Sequence, residues 1–127
     1  MTMRFMVMMK ATPDSEAGTP PKPEDIAAAL AFHEEMVRAG ILLAADGLKP
    51  SSAGARVRYA GKVRTVIDGP FAQAKELVAG FWLWQVRSLD EAIEWARRCP
   101  NPFEGGLSEV EIRPLYEAED FGAQVQP

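Results

Sequence analysis

The chain has 127 residues and a formal net charge of −4 at pH 7, so we expect one domain over residues 1–127 with a single core. Its lysines and arginines form no basic stripe, which argues against direct binding of DNA or RNA. Cys99 is the one cysteine and His33 the one histidine, a composition that excludes an internal disulfide and supplies no metal-ligand set. No phosphate-binding glycine motif and no apolar run of about 20 residues occurs. The sequence therefore predicts a soluble, cytoplasmic protein without a cofactor, a metal or a membrane segment.

The first half of the chain predicts a strand, a helix and a second strand. Met3–Lys10 carries Phe, Val and Met on both alternating faces, which is typical of a central strand that is covered on two sides. A loop rich in Pro and Gly is expected over residues 11–22. Pro23 suits the first turn of a helix that Gly40 ends. Residues 41–45 are expected to form the second strand.

The predicted helix has one apolar arc on a helical wheel, made of Ile26, Ala29, Leu30, His33, Met36 and Val37. His33 lies near the middle of this arc, so we expect the helix to bury it. Two interpretations of His33 are then open. It is either a general base, since its unperturbed pKa lies near neutrality, or a core histidine whose ring nitrogens are satisfied by hydrogen bonds.

The second half predicts a hairpin, a long strand, a helix and a final strand. Residues 56–59 and 62–67 flank an Ala-Gly turn and are expected to pair as a hairpin. The strand over residues 77–86 places Phe81 and Leu83 on one face and the tryptophans on the other. Ser88 opens a capping box for the second helix, Val110–Pro114 predicts the last strand, and an acidic tail begins at about residue 117.

This order of elements predicts an α+β fold. It is the βαββαβ order of a ferredoxin-like sheet with an inserted hairpin, in which both helices cover one face. The other face also carries apolar side chains, and two helices cannot cover both. We therefore expect a homodimer in which a second copy covers that face.

The most unusual segment is the turn Asp68-Gly69-Pro70-Phe71, which is followed by Lys75 and Glu76. Gly69 allows unusual backbone angles, Pro70 fixes its own φ angle and lacks a donor, and Phe71 can fill an apolar site. Asp68 either accepts hydrogen bonds within its own turn or holds a ligand, and Asp46 before Gly47 has the same two interpretations. Lys75 could pair with Asp68 across the turn.

The candidates for catalysis are Asp68, His33 and Lys75, as participants in proton transfer. The candidates for ligand binding are charged or aromatic residues near the turn and on the long strand: Asp46, Phe71, Glu76, Trp82 and Trp84. For the two tryptophans, a place in the core or in an interface is the other interpretation, and we expect the interface.

Several of these residues also carry a family resemblance, together with the first strand, Glu34-Glu35, Ala39-Gly40, Gly47-Leu48 and the segment from Glu117 to Gly122. Over essentially its whole length the chain resembles the YCII-related proteins of the Asp-Gly-Pro-Phe (DGPF) type. The resemblance implies a dimeric ferredoxin-like α+β barrel and says little about activity. Some of the proteins it resembles are encoded near, or fused to, extracytoplasmic-function sigma factors, which implies a regulatory protein partner.

The chain departs from the wider family at one position. YCII-related proteins include members with an early histidine on the first helix, paired with an aspartate and proposed to be catalytic. By its distance from Gly40, that histidine falls near Ala28 in this chain.

Two functions stay open: a dimeric module that binds a small molecule in a cleft near the Asp68 turn, as a sensor or accessory protein, or a small cofactor-independent enzyme that performs acid/base chemistry on an organic substrate.

Overall fold

The computed structural model describes residues 1–72, 74–101 and 107–124, with the backbone alone at residues 75, 123 and 124. Its strands are β1 (Met3–Lys10), β2 (Leu42–Gly47), β3 (Ala55–Ala60), β4 (Val63–Asp68), β5 (Val78–Val86) and β6 (Val110–Pro114). Its helices are α1 (Pro13–Glu16), α2 (Pro23–Arg38) and α3 (Leu89–Arg97). Short 3-10 turns cover Ser51–Ala53, Ala74–Glu76 and Ala118–Gln124.

Four strands form one antiparallel sheet in the order β2-β5-β1-β6, and β3 pairs with β4 in a separate hairpin. With the hairpin left out, this is the strand order of a ferredoxin-like βαββαβ fold, so the predicted α+β fold is confirmed. A single chain forms an open sheet over its described residues and does not close into a barrel. The dimeric barrel stays a prediction.

The core lies between the sheet and the helices α2 and α3. Phe5 of β1 pairs with Trp84 of β5, and both side chains are fully buried on the helix side of the sheet. Val7 and Val86 continue this face, and Met36 of α2 lies against it. The indole Nε1–H of Trp84 donates to the sulfur of Met36 at 3.1 Å, which satisfies a polar group in an otherwise apolar core. The predicted alternation of side chains along β5 is therefore confirmed, but Trp84 lies in the core and not in the expected interface.

Of the predicted buried arc of α2, Met36 is buried as expected, but most of the arc is wrong. Phe32 and Met36 face the core, whereas Ile26, Leu30, His33 and Val37 are exposed. The helix is rotated because Phe32, which lies outside the predicted arc, packs edge-on against Trp82 with a centroid distance of 5.5 Å. An aromatic ring gains more from burial than a smaller aliphatic side chain does. His33 is thus not the core histidine that the sequence suggested.

A short helix also forms inside the segment that was expected to be a loop. Thr12 begins α1 with a capping box: its hydroxyl accepts from the Ser15 N–H at 3.1 Å, and its own N–H donates to the Ser15 hydroxyl at 2.9 Å. The expected loop therefore contains one turn of helix followed by a stretch without regular secondary structure. Strand β2 runs to Gly47 rather than ending at residue 45, because Asp46 and Gly47 pair with Phe81 and Gly80 of β5.

The rotation of α2 can be tested with two alanine substitutions. Phe32 is 4% exposed and Leu30 is 60% exposed. Phe32→Ala should lower the free energy of unfolding by about 3–5 kcal/mol, as loss of a buried ring does, whereas Leu30→Ala should change it by less than about 0.5 kcal/mol. Urea denaturation of both variants measures this. Equal losses would contradict the orientation of α2.

Candidate functional site

An apolar cavity of about 220 Å³ opens beside α2. We call it the α2 cavity. It lies between the first half of α2, the end of β1, the start of β5 and the segment that follows α3. It is lined by Met9, Lys10, Asp25, Ala28, Ala29, Phe32, Ala79, Trp82, Cys99, Pro100, Asn101, Ser108, Glu109 and Val110.

Small side chains create this space between larger ones. Ala28 and Ala29 of α2 face the cavity on one side, and Ala79 of β5 lines it on another. Phe32 and Trp82 supply aromatic walls, fixed by their edge-on contact. The cavity therefore results from the same rotation of α2 that buries Phe32, since this rotation turns two alanines toward the end of the sheet.

The polar groups around the cavity are few and partly paired. The Lys10 ammonium lies 3.4 Å from the Glu111 carboxylate, and the Ser108 hydroxyl donates to the side-chain oxygen of Asn101 at 2.8 Å. Asp25 and Glu109 add two carboxylates to the lining. Such a lining favours an apolar ligand that is oriented by a small number of hydrogen bonds.

Cys99 belongs to the apolar wall rather than to a reactive centre. Burial raises the pKa of the Cys99 thiol to about 11, because a thiolate is poorly solvated in apolar surroundings. Its S–H donates to the carbonyl of Pro100 at 3.4 Å. At neutral pH the group is a protonated thiol, and this is the form that a bound molecule would meet.

The Asp-Gly-Pro-Phe turn is held by Ser51, away from the α2 cavity. The Phe71 N–H donates to the Ser51 hydroxyl oxygen at 3.0 Å. Ser51 in turn donates its N–H to the Glu16 carboxylate at 2.8 Å, and its hydroxyl donates to the other oxygen of that carboxylate. One serine therefore connects the turn to α1.

Glycine is required at position 69 for a steric reason. A Cβ atom built there would lie 1.8 Å from the carbonyl oxygen of Ser51, and the Gly69 N–H donates to the Gly54 carbonyl at 3.0 Å. The chain passes too close to the backbone of residue 51 for any side chain to fit. Beside it, the Arg56 guanidinium lies over the ring of Phe71, 4.0 Å from its centroid. The turn is thus closely packed against residues 51, 54 and 56, and we call it the corner.

The predicted catalytic residues do not gather at the α2 cavity. Asp68 is exposed at the end of β4, opposite Ala55 of the hairpin. His33 is exposed on α2, and neither residue belongs to the cavity lining. The side chain of Lys75 lies outside what the structure describes, so its pairing with Asp68 stays a prediction, as do the catalytic roles of all three residues.

The predicted ligand-binding residues lie in different places. Trp82 lines the α2 cavity, whereas Trp84 is fully buried in the core. Phe71 is half-buried under Arg56, Asp46 is exposed opposite Phe81, and Glu76 is exposed in its 3-10 turn. Their roles in ligand binding stay predictions.

Sequence reasoning missed most of the cavity lining. Alanines, a partly buried cysteine and a serine carry no chemical signature, and the choice of the wrong helix face hid Ala28. The available signal was the position of Phe32, the one aromatic residue of α2, with two alanines one turn before it.

Within the described ranges, that is, the chain without residues 73, 102–106 and 125–127, no cluster of three or more His, Cys, Asp or Glu residues could hold a metal ion. No helix of these ranges has the length and apolar character that crossing a membrane requires.

The fold and the cavity define a ferredoxin-like α+β domain with an apolar space at one end of its sheet. The family model described as the YCII-related domain matches residues 3–116. The chain therefore belongs to the YCII-related family.

The chain is also similar to two individual proteins. It is 39% identical to an uncharacterized protein of Rhizobium meliloti (strain 1021) over 85 residues, which cover 67% of this chain and 68% of that protein. A solved structure of 5-chloro-2-hydroxyhydroquinone dehydrochlorinase (TftG) from Burkholderia phenoliruptrix AC1100, in complex with 2,5-dihydroxybenzoquinone, is similar with a TM-score of 0.44 and 17% identity, over 94% of this chain and 98% of that one. At this score the likeness says nothing about the activity of this chain.

The steric role of Gly69 can be tested against a second glycine. Gly69→Ala should lower the free energy of unfolding by about 1–3 kcal/mol, as forced overpacking does, because the new methyl group collides with the Ser51 carbonyl. Gly47→Ala is the control, since a Cβ there meets nothing within 4 Å, and it should change stability by less than about 0.5 kcal/mol. Urea titrations that give the same midpoint for Gly69→Ala and the wild type would refute the close approach.

Proposed function

We propose that this protein binds a small, uncharged and largely apolar molecule in the α2 cavity. The observation that carries the proposal is the cavity itself, a space with aromatic walls that two alanines of α2 leave open beside Phe32 and Trp82. Concave, mostly apolar sites with a few polar groups are the usual form of small-molecule sites.

The volume and shape suggest the size of the ligand. An engineered apolar cavity of about 150 Å³ in another protein binds benzene, and the α2 cavity measures about 220 Å³. It has room for a single ring with substituents. The walls of Phe32 and Trp82 offer both a ring face and a ring edge to an aromatic ligand.

The charges around the cavity support an uncharged ligand. Asp25 and Glu109 belong to the lining, and the Lys10 ammonium already pairs with Glu111. An anion would therefore meet two carboxylates and no unpaired lysine among the lining residues that the structure describes. A neutral hydroxyl group could instead donate to the Ser108 oxygen.

Binding without proton transfer is favoured by the residue at position 28. The family resemblance places a catalytic histidine near Ala28, and Ala28 lines the cavity. A methyl group thus stands where relatives place a base, and the Cys99 thiol, with its raised pKa, is no substitute at neutral pH. A sensor or accessory role in the cytoplasm follows, with the regulatory partner that the resemblance implies.

We also propose that two copies pair through the sheet face that points away from the helices. Met6 and Met8 of β1 lie directly beside Leu83 and Phe81 of β5 on that face. These four apolar side chains remain partly exposed in one chain, and a second sheet would cover them.

Binding can be tested by filling the cavity. A panel of uncharged single-ring compounds, each matched with its carboxylate analogue, is titrated against tryptophan fluorescence, which Trp82 reports from the cavity wall. The neutral members should bind saturably. Their carboxylates should bind at least about ten times more weakly, a difference of about 1.4 kcal/mol.

Two leucine substitutions on the same helix provide the structural control. Ala28→Leu puts a larger side chain into the cavity and should weaken binding of the neutral compounds at least tenfold, whereas Ala27 is exposed and outside the lining, so Ala27→Leu should leave binding unchanged. Equal affinities for the wild type and both variants would show that the compounds bind elsewhere.

A further inference from the structure

The β3–β4 hairpin is an arm that its own chain does not cover. Its strands pair with each other and not with the four-stranded sheet. All of their residues except Ile67 are exposed. A two-stranded ribbon is marginally stable alone in water, so a ribbon with both faces open is a candidate for contact with another molecule.

One face of the arm carries three adjoining apolar side chains. Val57 and Val66 are directly opposite each other, and Tyr59 follows on the same face opposite Arg64. The exposed fractions of these apolar residues are 47% for Val57, 66% for Val66 and 70% for Tyr59. Exposed aliphatic and aromatic groups that adjoin in this way are typical of a protein interface.

The arm and the rest of the chain carry opposite charge. Residues 55–68 contain four cations, Arg56, Arg58, Lys62 and Arg64, against the single carboxylate of Asp68. The whole chain has a formal charge of −4, so the remainder carries −7. Within the described part of the chain, none of the four cations forms an ion pair with a carboxylate; the guanidinium groups of Arg56 and Arg64 lie instead over the rings of Phe71 and Tyr59.

The base of the arm is fixed. Gly69, immediately after β4, donates its N–H to Gly54, immediately before β3, and it packs against the backbone of Ser51. This corner holds the arm in an orientation in which its own chain neither covers its apolar side chains nor pairs its cations with carboxylates. The acidic surface that would satisfy them is available on an identical molecule.

We propose that the β3–β4 arm docks on the acidic body of a second copy of this chain. Val57, Tyr59 and Val66 make the apolar contact, while Arg64 on the same face and Lys62 in the turn meet carboxylates of the other copy. In a symmetric pair both arms make the same contact, so each favourable interaction occurs twice. Nucleic acid fits the arm less well, because the remainder of the chain would repel a polyanion.

A photo-crosslinker tests the contact directly. A benzoyl-phenylalanine placed at position 59 of the purified full chain should give a covalent dimer on irradiation, with the crosslink mapping to an acidic segment outside the arm. The same probe at Tyr116, which is 77% exposed and lies outside the arm, is the control and should give at least ten times less dimer. No covalent dimer from position 59, or equal yields from both positions, would overturn the proposal.

Charge reversal gives an independent result. The double variant Lys62→Glu and Arg64→Glu should weaken self-association at least tenfold by sedimentation equilibrium, while its circular dichroism spectrum stays that of the wild type. The control is Arg87→Glu with Arg97→Glu, which changes the net charge equally at two exposed residues of another region and should weaken self-association less than threefold. The proposal fails if both variants associate alike, or if the wild type binds a fluorescein-labelled DNA duplex and the arm variant does not.

Discussion

The packing of Phe32 on the tryptophans of β5 determines the arrangement of the rest of the molecule. Trp82 and Trp84 stack with a centroid distance of 5.5 Å, and Phe32 meets Trp82 edge-on at the same distance. The ring centroid of Trp95, in α3, also lies 6.2 Å from that of Phe32. One ring of α2 is thereby held between the central strand and the second helix, and the rotation of α2 about its own axis is fixed.

Two consequences follow from that rotation. The residues one turn before Phe32, Ala28 and Ala29, are brought over the end of the sheet, and their small size leaves the α2 cavity open. The aliphatic residues on the flank of the helix, among them Ile26 and Leu30, are left in solvent. The cavity and the exposed flank thus have the same cause, which is the packing of Phe32 against the tryptophans.

The strands were predictable because alternation of side chains along a strand is a local property. Met3–Lys10 and Val110–Pro114 form strands over the predicted residues, and the tryptophans of β5 share one face of the strand as expected. The face of α2 was not predictable in this way. Several apolar arcs fit its sequence, and the choice among them depends on Trp82, which is 50 residues away in the chain. The α1 turn was missed because the prolines and glycines of that segment outweighed the capping signal of Thr12.

The site was predictable only in part, for a related reason. The Asp-Gly-Pro-Phe segment drew attention because rare residue types concentrate there, and the structure shows that much of this rarity is steric: Gly69 is required by its contact with Ser51. Trp82 is the one predicted ligand-binding residue that lines the cavity. Alanines give no chemical signal in a sequence, so a site defined by small side chains could be found only after the helix was placed.

The central claim is that the α2 cavity is where a small molecule binds. The most direct measurement is nuclear Overhauser spectroscopy on protein with ¹³C-labelled alanine methyl groups, mixed with an uncharged single-ring compound. The account predicts cross-peaks from the ring protons to the methyl groups of Ala28, Ala29 and Ala79, which line the cavity. Cross-peaks to Ala72 beside the Asp68 turn, without any to these three methyl groups, would contradict it.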